Sequence, residues 1–332
     1  MIQPDAKLIA DVFGKDLEKK PTRDGFGHGT VAAGKEDANV VVLCADLKES
    51  TRAEWFEKEF PGRFIEMGVA EQNLATVAAG LAAVGKVPFV ASYAAFSPGR
   101  NYEQIRTTIA LNNIKVIVCG MHAGVSVGPD GATHQMLEDV GMMRMLPGMN
   151  VINPSDAEEA KKAVVAAAKA DGPSYIRFGR AGVPTYTTPE TPFAIGKALL
   201  LWKSDVPKVS LLANGPLAYE ALAAARALEA DGIGTLVLSV PSVKPLDETA
   251  VLAAAKATGN VITIEEHQAA GGFGGVIAEF LSENYPIRVV RVGVRDEFGQ
   301  SGDPSELIEH YKLDRVAIAA KARELARARK TV

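Results

Sequence analysis

The segment that most limits the possible folds is residues 119–135, where an apolar run leads directly into a loop rich in glycine. The run, residues 114–118, is short and largely apolar, as in a buried strand of a parallel sheet. Open α/β sheets bind ligands in loops that follow the carboxyl ends of such strands. The loop carries His122, Asp130 and His134, so it predicts a functional site.

The rest of the chain predicts an α/β architecture in two parts. Short apolar runs alternate with helical patterns through the first half, which indicates a parallel sheet with helices on both faces. A segment rich in threonine and proline then indicates a linker, and a smaller α/β unit follows it. The predicted organisation is an N-terminal amphipathic helix within residues 1–20, a domain at 21–185, a linker at 186–197 and a second domain at 198–332.

Composition excludes several classes of partner. A net charge of -4 gives no basic patch to hold nucleic acid. The sequence has no apolar stretch near the roughly 18 residues that a membrane span needs, and its N-terminus does not resemble a signal peptide. Cys44 and Cys119 lie in apolar runs, which predicts buried, reduced thiols. We therefore expect a cytoplasmic enzyme or enzyme subunit.

Glu71 is the most informative acidic residue. It opens a helical pattern over residues 69–84 that is apolar on nearly every face, so we expect a helix in the protein interior. A carboxylate in the first turn can simply stabilise a helix N-terminus. At the start of an interior helix, however, the group is drawn inside, where burial favours a neutral acid. Glu71 is therefore a candidate catalytic residue.

Two other motifs predict structure rather than chemistry. The glycines of residues 271–275 are not followed by the Lys-Ser/Thr pair of a phosphate-binding loop. They indicate instead a tight connection from strand to helix. Glu265, Glu266 and His267 precede them on an extended segment, where neighbouring side chains point to opposite faces. We expect a polar cluster at a domain or subunit contact and no metal site in this chain.

These residues resemble a known family. The segment Gly68-Val-Ala-Glu-Gln-Asn and the loop from His122 to Gln135 are similar to the C-terminal half of transketolase, a thiamine diphosphate enzyme. The resemblance extends over the whole chain and implies a pyrimidine-binding domain followed by the transketolase C-terminal domain. The Gly-Asp-Gly motif by which the family binds diphosphate and Mg²⁺ is missing from the sequence. The resemblance therefore implies that this chain is the second subunit of a split transketolase. The implied partner chain carries the diphosphate-binding domain and provides most of the contacts to Mg²⁺ (or Ca²⁺).

The resemblance also implies roles for individual residues. Glu71 matches the acid that shares a proton with the aminopyrimidine ring, and His122 and His134 match residues that assist catalysis. The implied cofactor-binding residues are Glu71, Tyr93, Phe96 and Asp46. The implied sugar-phosphate ligands are Arg23, Ser50, His122, Asp130, His134 and Arg180.

The implied reaction is transfer of a two-carbon ketol unit from a ketose phosphate to an aldose phosphate, as in the pentose phosphate pathway. Self-association into a dimer of heterodimers is expected from the same resemblance. Two alternatives are other thiamine diphosphate enzymes, namely a deoxyxylulose-phosphate synthase-like protein and the β-subunit of a 2-oxo acid dehydrogenase. A third is a scaffold subunit that has kept the fold without catalysis.

Overall fold

Strands and helices alternate along residues 1–327, the part of the chain that the computed structural model describes. The last residues of the predicted second domain, 328–332, lie outside the described part. The strands are β1 (Lys19–Lys20), β2 (Val40–Cys44), β3 (Phe64–Glu66), β4 (Val87–Tyr93), β5 (Ile117–Met121), β6 (Asn150–Ile152), β7 (Ser174–Arg177), β8 (Val183–Pro184), β9 (Leu199–Lys203), β10 (Val209–Ala213), β11 (Thr235–Ser239), β12 (Ser242–Lys244), β13 (Val261–Gln268) and β14 (Val289–Val294). The helices are α1 (Thr22–Glu36), α2 (Lys48–Thr51), α3 (Ala53–Glu59), α4 (Glu71–Ala83), α5 (Tyr102–Gln104, continued by a π-helix at Ile105–Ala110), α6 (Asp139–Arg144), α7 (Ala157–Lys169), α8 (Leu217–Ala230), α9 (Glu248–Thr258), α10 (Phe273–Asn284), α11 (Pro304–His310) and α12 (Arg315–Arg327).

The first sheet has the strand order β12-β6-β7-β5-β4-β2-β3, and every pair except β12–β6 is parallel. Successive side chains of a strand point to opposite faces. Val40 and Val42 accordingly pack into the core that contains α1 and α7, while Val41 and Leu43 pack into the core that contains α4. The predicted α/β class, with helices on both faces of a parallel sheet, is confirmed.

The second sheet has the order β14-β13-β10-β11-β9, with β9 antiparallel to β11 and the other pairs parallel. The second unit also contributes one strand to the first sheet. Strand β12 follows β11 along the chain but pairs with β6 of the first sheet. The sequence did not predict this exchange, since β12 is three residues long and carries a lysine.

The predicted N-terminal helix is wrong. Within residues 1–20 only a 3₁₀ turn at Pro4–Ala6 and the short strand β1 are regular. The periodic apolar residues Leu8, Ile9, Val12 and Phe13 do pack into the core of the second unit. Their backbone follows the surface of that unit instead of coiling, and the Ile9 N–H bonds to the Tyr186 carbonyl at 3.1 Å.

Residues 22–25 form the first turn of α1, and this turn includes a glycine. Gly25 lowers helix propensity, yet a Cβ there would lie 2.3 Å from the Ala157 carbonyl oxygen on α7. Close packing of α1 on α7 therefore both requires the glycine and outweighs its propensity.

The prediction that α4 is interior on nearly every face is also wrong. Gln72, Asn73, Thr76 and Gly80 are exposed in this chain, whereas Leu74, Ala75 and Ala78 are buried. The alanines made the helix apolar in sequence without specifying which of its faces are covered. Glu71 itself is buried, with 2% of its surface exposed.

The predicted linker at 186–197 is irregular but anchored. Asp156 accepts hydrogen bonds from the main-chain N–H groups of Tyr186 and Thr187 at 2.9 and 2.8 Å. Within residues 1–327, no helix is long and apolar enough to cross a bilayer.

Candidate active site

Most of the predicted site residues meet at one edge of the first sheet, beyond the carboxyl ends of β4 and β5. They border a cavity of about 380 Å³. Its lining residues are Arg23, Glu49, Ser50, Arg52, Tyr93, His122, Asp130 and Arg180. Six of these eight were predicted from the sequence, so the loop after β5 does come together with residues from distant segments.

His122 is buried directly after β5, with 1% of its surface exposed and a positive φ of 53°. Its ring stacks on Tyr93, with the ring centroids 4.0 Å apart and the planes inclined by 26°. Burial, and after it the positive charges of Arg23 and Arg180, lower the pKa of His122 to about 3. The imidazole is therefore neutral at neutral pH.

The tautomer of His122 follows from its contact with Arg23. The Arg23 Nη1 lies 3.1 Å from Nε2 of the ring, and a guanidinium can only donate. Nε2 must then accept, which leaves the proton on Nδ1. Within residues 1–327, that Nδ1 is buried without a hydrogen-bond partner. It is a donor available to a bound molecule.

Three arginines line the cavity, and two of them, Arg23 and Arg180, were predicted. Arg23, in the first turn of α1, also donates from Nη1 to the Ser50 carbonyl at 2.8 Å. Arg180 donates to the Val127 carbonyl at 2.7 Å and lies 4.0 Å from the Asp130 carboxylate. Burial, and next the charge of Arg52, lower the pKa of Arg23. A bound anion would relieve this repulsion between guanidinium groups.

Tyr93, which lines the cavity, belongs to a group of aromatic rings. Tyr93 and Phe96 lie nearly parallel, with centroids 6.0 Å apart and an interplanar angle of 19°. The His134 ring stands edge-on to Phe96 at 5.5 Å, and its Nδ1 lies 2.9 Å from the Thr133 hydroxyl. These rings offer flat faces on which another planar ring can stack.

Glu71 is joined to the aromatic group through Arg100. The Arg100 Nη1 donates to Glu71 Oε2 at 2.6 Å, and the same guanidinium lies 4.8 Å from the centre of the Phe96 ring. Asn101 donates to the Glu71 carbonyl at 2.8 Å, which fixes the start of α4. The surroundings differ from the expectation, because a guanidinium and not only apolar side chains faces this carboxyl group.

Asp46 is one of four predicted site residues that do not line the cavity, the others being Glu71, Phe96 and His134. Its side chain is exposed, and its main-chain N–H bonds to Glu66 Oε1 at 2.8 Å. The same oxygen accepts from the Gly68 N–H at 2.9 Å. Asp46 is therefore tied to the segment that leads into Glu71.

Sequence reasoning missed Arg52 and Arg100. Arg52 lines the cavity and pairs with Asp24 at 2.8 Å, and it lies only two residues after the predicted Ser50. Arg100 follows Phe96 by four residues, a spacing that places both on one side of a turn. Neither arginine differs in sequence from an ordinary surface cation. Within the described part of the chain, no three His, Cys, Asp or Glu side chains are grouped to bind a metal ion.

Two protein-family models match this chain over most of its length. The transketolase pyrimidine binding domain family matches residues 18–185, and the transketolase C-terminal domain family matches residues 196–318. The chain belongs to the transketolase family. Its pyrimidine-binding domain implies the use of thiamine diphosphate.

Relatives of similar length share this organisation. A 6-deoxy-6-sulfo-D-fructose transketolase subunit of Clostridium sp. (strain MSTE9) is 39% identical, over 94% of this chain and 97% of the relative. One of the subunits of an apulose-4-phosphate transketolase, from Phocaeicola vulgatus, is 37% identical, over 92% and 97%. Among solved structures, a split gene transketolase described as an inactive β₄ tetramer superposes with a TM-score of 0.85 at 43% identity, over 92% of this chain and 98% of that one.

Proposed function

We propose that this chain is the second subunit of a two-subunit transketolase and transfers a two-carbon ketol unit from a ketose phosphate to an aldose phosphate. The observation that carries the proposal is the cavity in which Arg23, Arg180 and the neutral His122 converge beside the Tyr93 ring. Relatives that this chain covers almost end to end are transketolase subunits. The proposed domains are 21–185 and 198–332, joined by 186–197, and a cytoplasmic location stays a prediction.

The residues present fit thiamine diphosphate. Tyr93 and Phe96 offer ring faces for the aminopyrimidine. Glu71 offers a buried carboxyl group, and its partner Arg100 lies over the Phe96 ring. When bound, the cofactor supplies an electron sink for the carbanion of the transferred fragment. Glu71 would hold the ring nitrogen by sharing a proton with it, and Asp46 would lie at the edge of the cofactor. We propose that Mg²⁺ (or Ca²⁺) is held mainly by the partner chain.

The proposed substrate contacts follow from charge and hydrogen-bonding capacity. Arg23 and Arg180 would clamp the phosphate in a forked geometry, with Ser50 beside them. Neutral His122 would donate its Nδ1 proton to a sugar oxygen. Asp130 and His134 would bind sugar hydroxyl groups, and His134 would move a proton beside the reacting carbon.

The substrate within this class is left open by the relatives, one of which acts on a sulfo-sugar and another on apulose 4-phosphate. Phosphate and sulfonate are both anions with several equivalent oxygens that arginine can clamp. Participation in the pentose phosphate pathway is accordingly a proposal. Comparing kcat/KM for xylulose 5-phosphate with that for 6-deoxy-6-sulfo-D-fructose would assign the donor.

We propose that the partner is an N-terminal subunit that carries the diphosphate-binding domain, and that two such pairs assemble into a dimer of heterodimers. The solved relative forms a β₄ tetramer and is described as inactive. We therefore expect the isolated chain to be inactive and its activity to appear on addition of the partner chain.

The test is transfer from xylulose 5-phosphate to ribose 5-phosphate by the two chains together. We expect Glu71→Ala to lower kcat by a factor on the order of 10²–10⁴, the usual contribution of a positioned acid or base. Glu103→Ala, at an exposed carboxylate in α5, is the control and should keep full activity. Turnover with pyruvate as donor would favour a deoxyxylulose-phosphate synthase or a 2-oxo acid dehydrogenase instead. Unchanged activity when Glu71, Asp130 and His134 are all replaced would favour a scaffold.

A further inference from the structure

Three buried polar residues at the end of β13 take no part in the proposed function. Glu265, Glu266 and His267 are 1–3% exposed, although they belong to the second unit and lie far along the chain from the predicted site. The buried charge of Glu266 is opposed by Arg177, whose Nη2 donates to the Glu266 carbonyl at 2.8 Å. Burial raises the pKa of Glu266. The charge of Arg177 and a hydrogen bond from Ser126 partly offset that rise.

Glu266 contacts the loop that follows β5. Its Oε1 accepts a hydrogen bond from the Ser126 main-chain N–H at 2.6 Å. Gly124 makes this approach possible, because a Cβ at that position would lie 2.3 Å from the same oxygen. Gly124 also has a φ of 91°, which side-chain-bearing residues rarely adopt. Loop and carboxylate are therefore in close contact across the domain boundary.

The contacted segment is a 3₁₀ turn, Val125–Val127, that separates His122 from Asp130. A short helical turn leaves its first N–H groups without internal partners, so an acceptor there fixes its position. The turn is held from its other side by Arg180, which donates to the Val127 carbonyl at 2.7 Å. Gln135 donates to the Val125 carbonyl at 2.9 Å. Glu266 thus holds the middle of the turn through Ser126, and Arg180 holds its end through Val127.

We propose that Glu266 is a positioning residue for the active site: from the second domain it fixes the Val125–Val127 turn, and through that turn the placement of His122 and Arg180. This inference rests on the proposed function for its kinetic consequence, but not for its structural one. It assigns the C-terminal domain a direct part in forming the sugar-phosphate site.

Glu265 provides a matched control in the neighbouring position. It is also buried and also accepts main-chain N–H groups, from Phe273 at 2.6 Å and Gly274 at 2.8 Å at the start of α10. Its removal should destabilise the second domain without freeing the turn. The two variants Glu265→Ala and Glu266→Ala therefore separate a general loss of stability from a loss of positioning.

The experiment measures amide hydrogen exchange at Ser126 in the full-length chain and steady-state kinetics of the assembled complex. We expect Glu266→Ala to speed exchange at Ser126 at least tenfold and to lower kcat/KM for the ketose phosphate about 30-fold. The amide carbonyl oxygen of Glu266→Gln can accept the same N–H. This variant should therefore speed exchange at Ser126 only about threefold and lower kcat/KM only about threefold. Glu265→Ala should leave both values within twofold of the wild type.

Equal effects of the two alanine variants, or unchanged exchange at Ser126 in Glu266→Ala, would overturn the inference. If Glu266→Ala does not fold, Glu266→Gln compared with Glu265→Gln decides the same question, because only the former should speed exchange at Ser126. A wild-type complex without transketolase activity would refute the proposed function, while the exchange measurement would still test the hold of Glu266 on the turn.

Discussion

The Arg100 guanidinium donates a hydrogen bond to the buried Glu71 carboxylate at 2.6 Å while lying over the Phe96 ring. The side chain of Glu71 is 2% exposed and that of Arg100 is 48% exposed, so one partner is solvated and the other is not. Arg100 thus compensates the burial of the carboxylate in the free chain. It occupies Oε2 of the carboxyl group that, in the proposed function, Glu71 would offer to the cofactor ring.

Replacing Arg100 with methionine should destabilise the free chain. Arg100→Met keeps an apolar stem on Phe96 but leaves the Glu71 carboxylate without its ion pair. Breaking a fully buried pair costs about 3–5 kcal/mol, and the solvent exposure of Arg100 reduces our expectation to about 1–2 kcal/mol. Urea unfolding of the free chain at pH 7 measures the loss in free energy of unfolding.

The control for this variant is Arg106→Met in the adjoining π-helix. Arg106 is exposed and forms no ion pair within residues 1–327, so its replacement should change the free energy of unfolding by less than about 0.5 kcal/mol. Equal losses for Arg100→Met and Arg106→Met would mean that the pair contributes nothing to the stability of the chain.

The burial of His122 makes stability depend on pH in a predictable direction. An unfolded histidine binds its proton near pH 6.5, whereas the folded pKa of His122 is about 3. As pH falls below 6.5, the unfolded state takes up the proton first and the folded state loses relative stability. Between pH 7 and pH 5 we expect a loss of about 2 kcal/mol from this residue.

Comparison with His122→Asn isolates that contribution, because carboxylates elsewhere also titrate. The free energy of unfolding of this variant should fall about 2 kcal/mol less than that of the wild type between pH 7 and pH 5. His28→Asn, at an exposed position on α1, leaves His122 in place and should keep the wild-type dependence. Parallel pH curves for the wild type and His122→Asn would contradict a neutral, buried imidazole.

The sequence specified the frame of the site better than its details. Apolar runs such as Val40–Cys44 are typical of parallel strands covered on both faces, and chain direction then places the loops that follow them at one edge. The loop from His122 to Gln135 was therefore found from local pattern. Glu266 and Arg100 act through contacts with segments far away or on another turn, and no local pattern encodes those contacts. The same limit explains the missed strand β12, whose pairing partner belongs to the other unit.

Replacement by alanine should have opposite effects at Gly25, which packs against α7, and at Gly80, which has open space beside it. An alanine Cβ at position 25 would lie 2.3 Å from the Ala157 carbonyl oxygen and 2.5 Å from the Ala160 Cβ, so the helices would have to separate. Gly25→Ala should lower the free energy of unfolding by about 2 kcal/mol despite the better helix propensity of alanine. Gly80 on α4 has nothing within 4 Å of its built Cβ, and Gly80→Ala should raise stability by about 0.5–1 kcal/mol. Chemical denaturation of both variants checks the pair, and a stabilised Gly25→Ala would contradict the packing.

Arg180 should affect substrate binding more than turnover. If its guanidinium clamps the phosphate, the contact is present in both the ground state and the transition state, and its loss raises KM with little change in kcat. A charged hydrogen bond contributes about 1.5–3 kcal/mol, so Arg180→Gln should raise KM for a ketose phosphate about 10- to 100-fold.

Because Arg180 also holds the Val127 carbonyl, a displaced turn is the competing explanation. An unphosphorylated ketose distinguishes the two: the wild type and Arg180→Gln should convert it equally well if the phosphate contact is what was lost, whereas a displaced turn would slow both substrates.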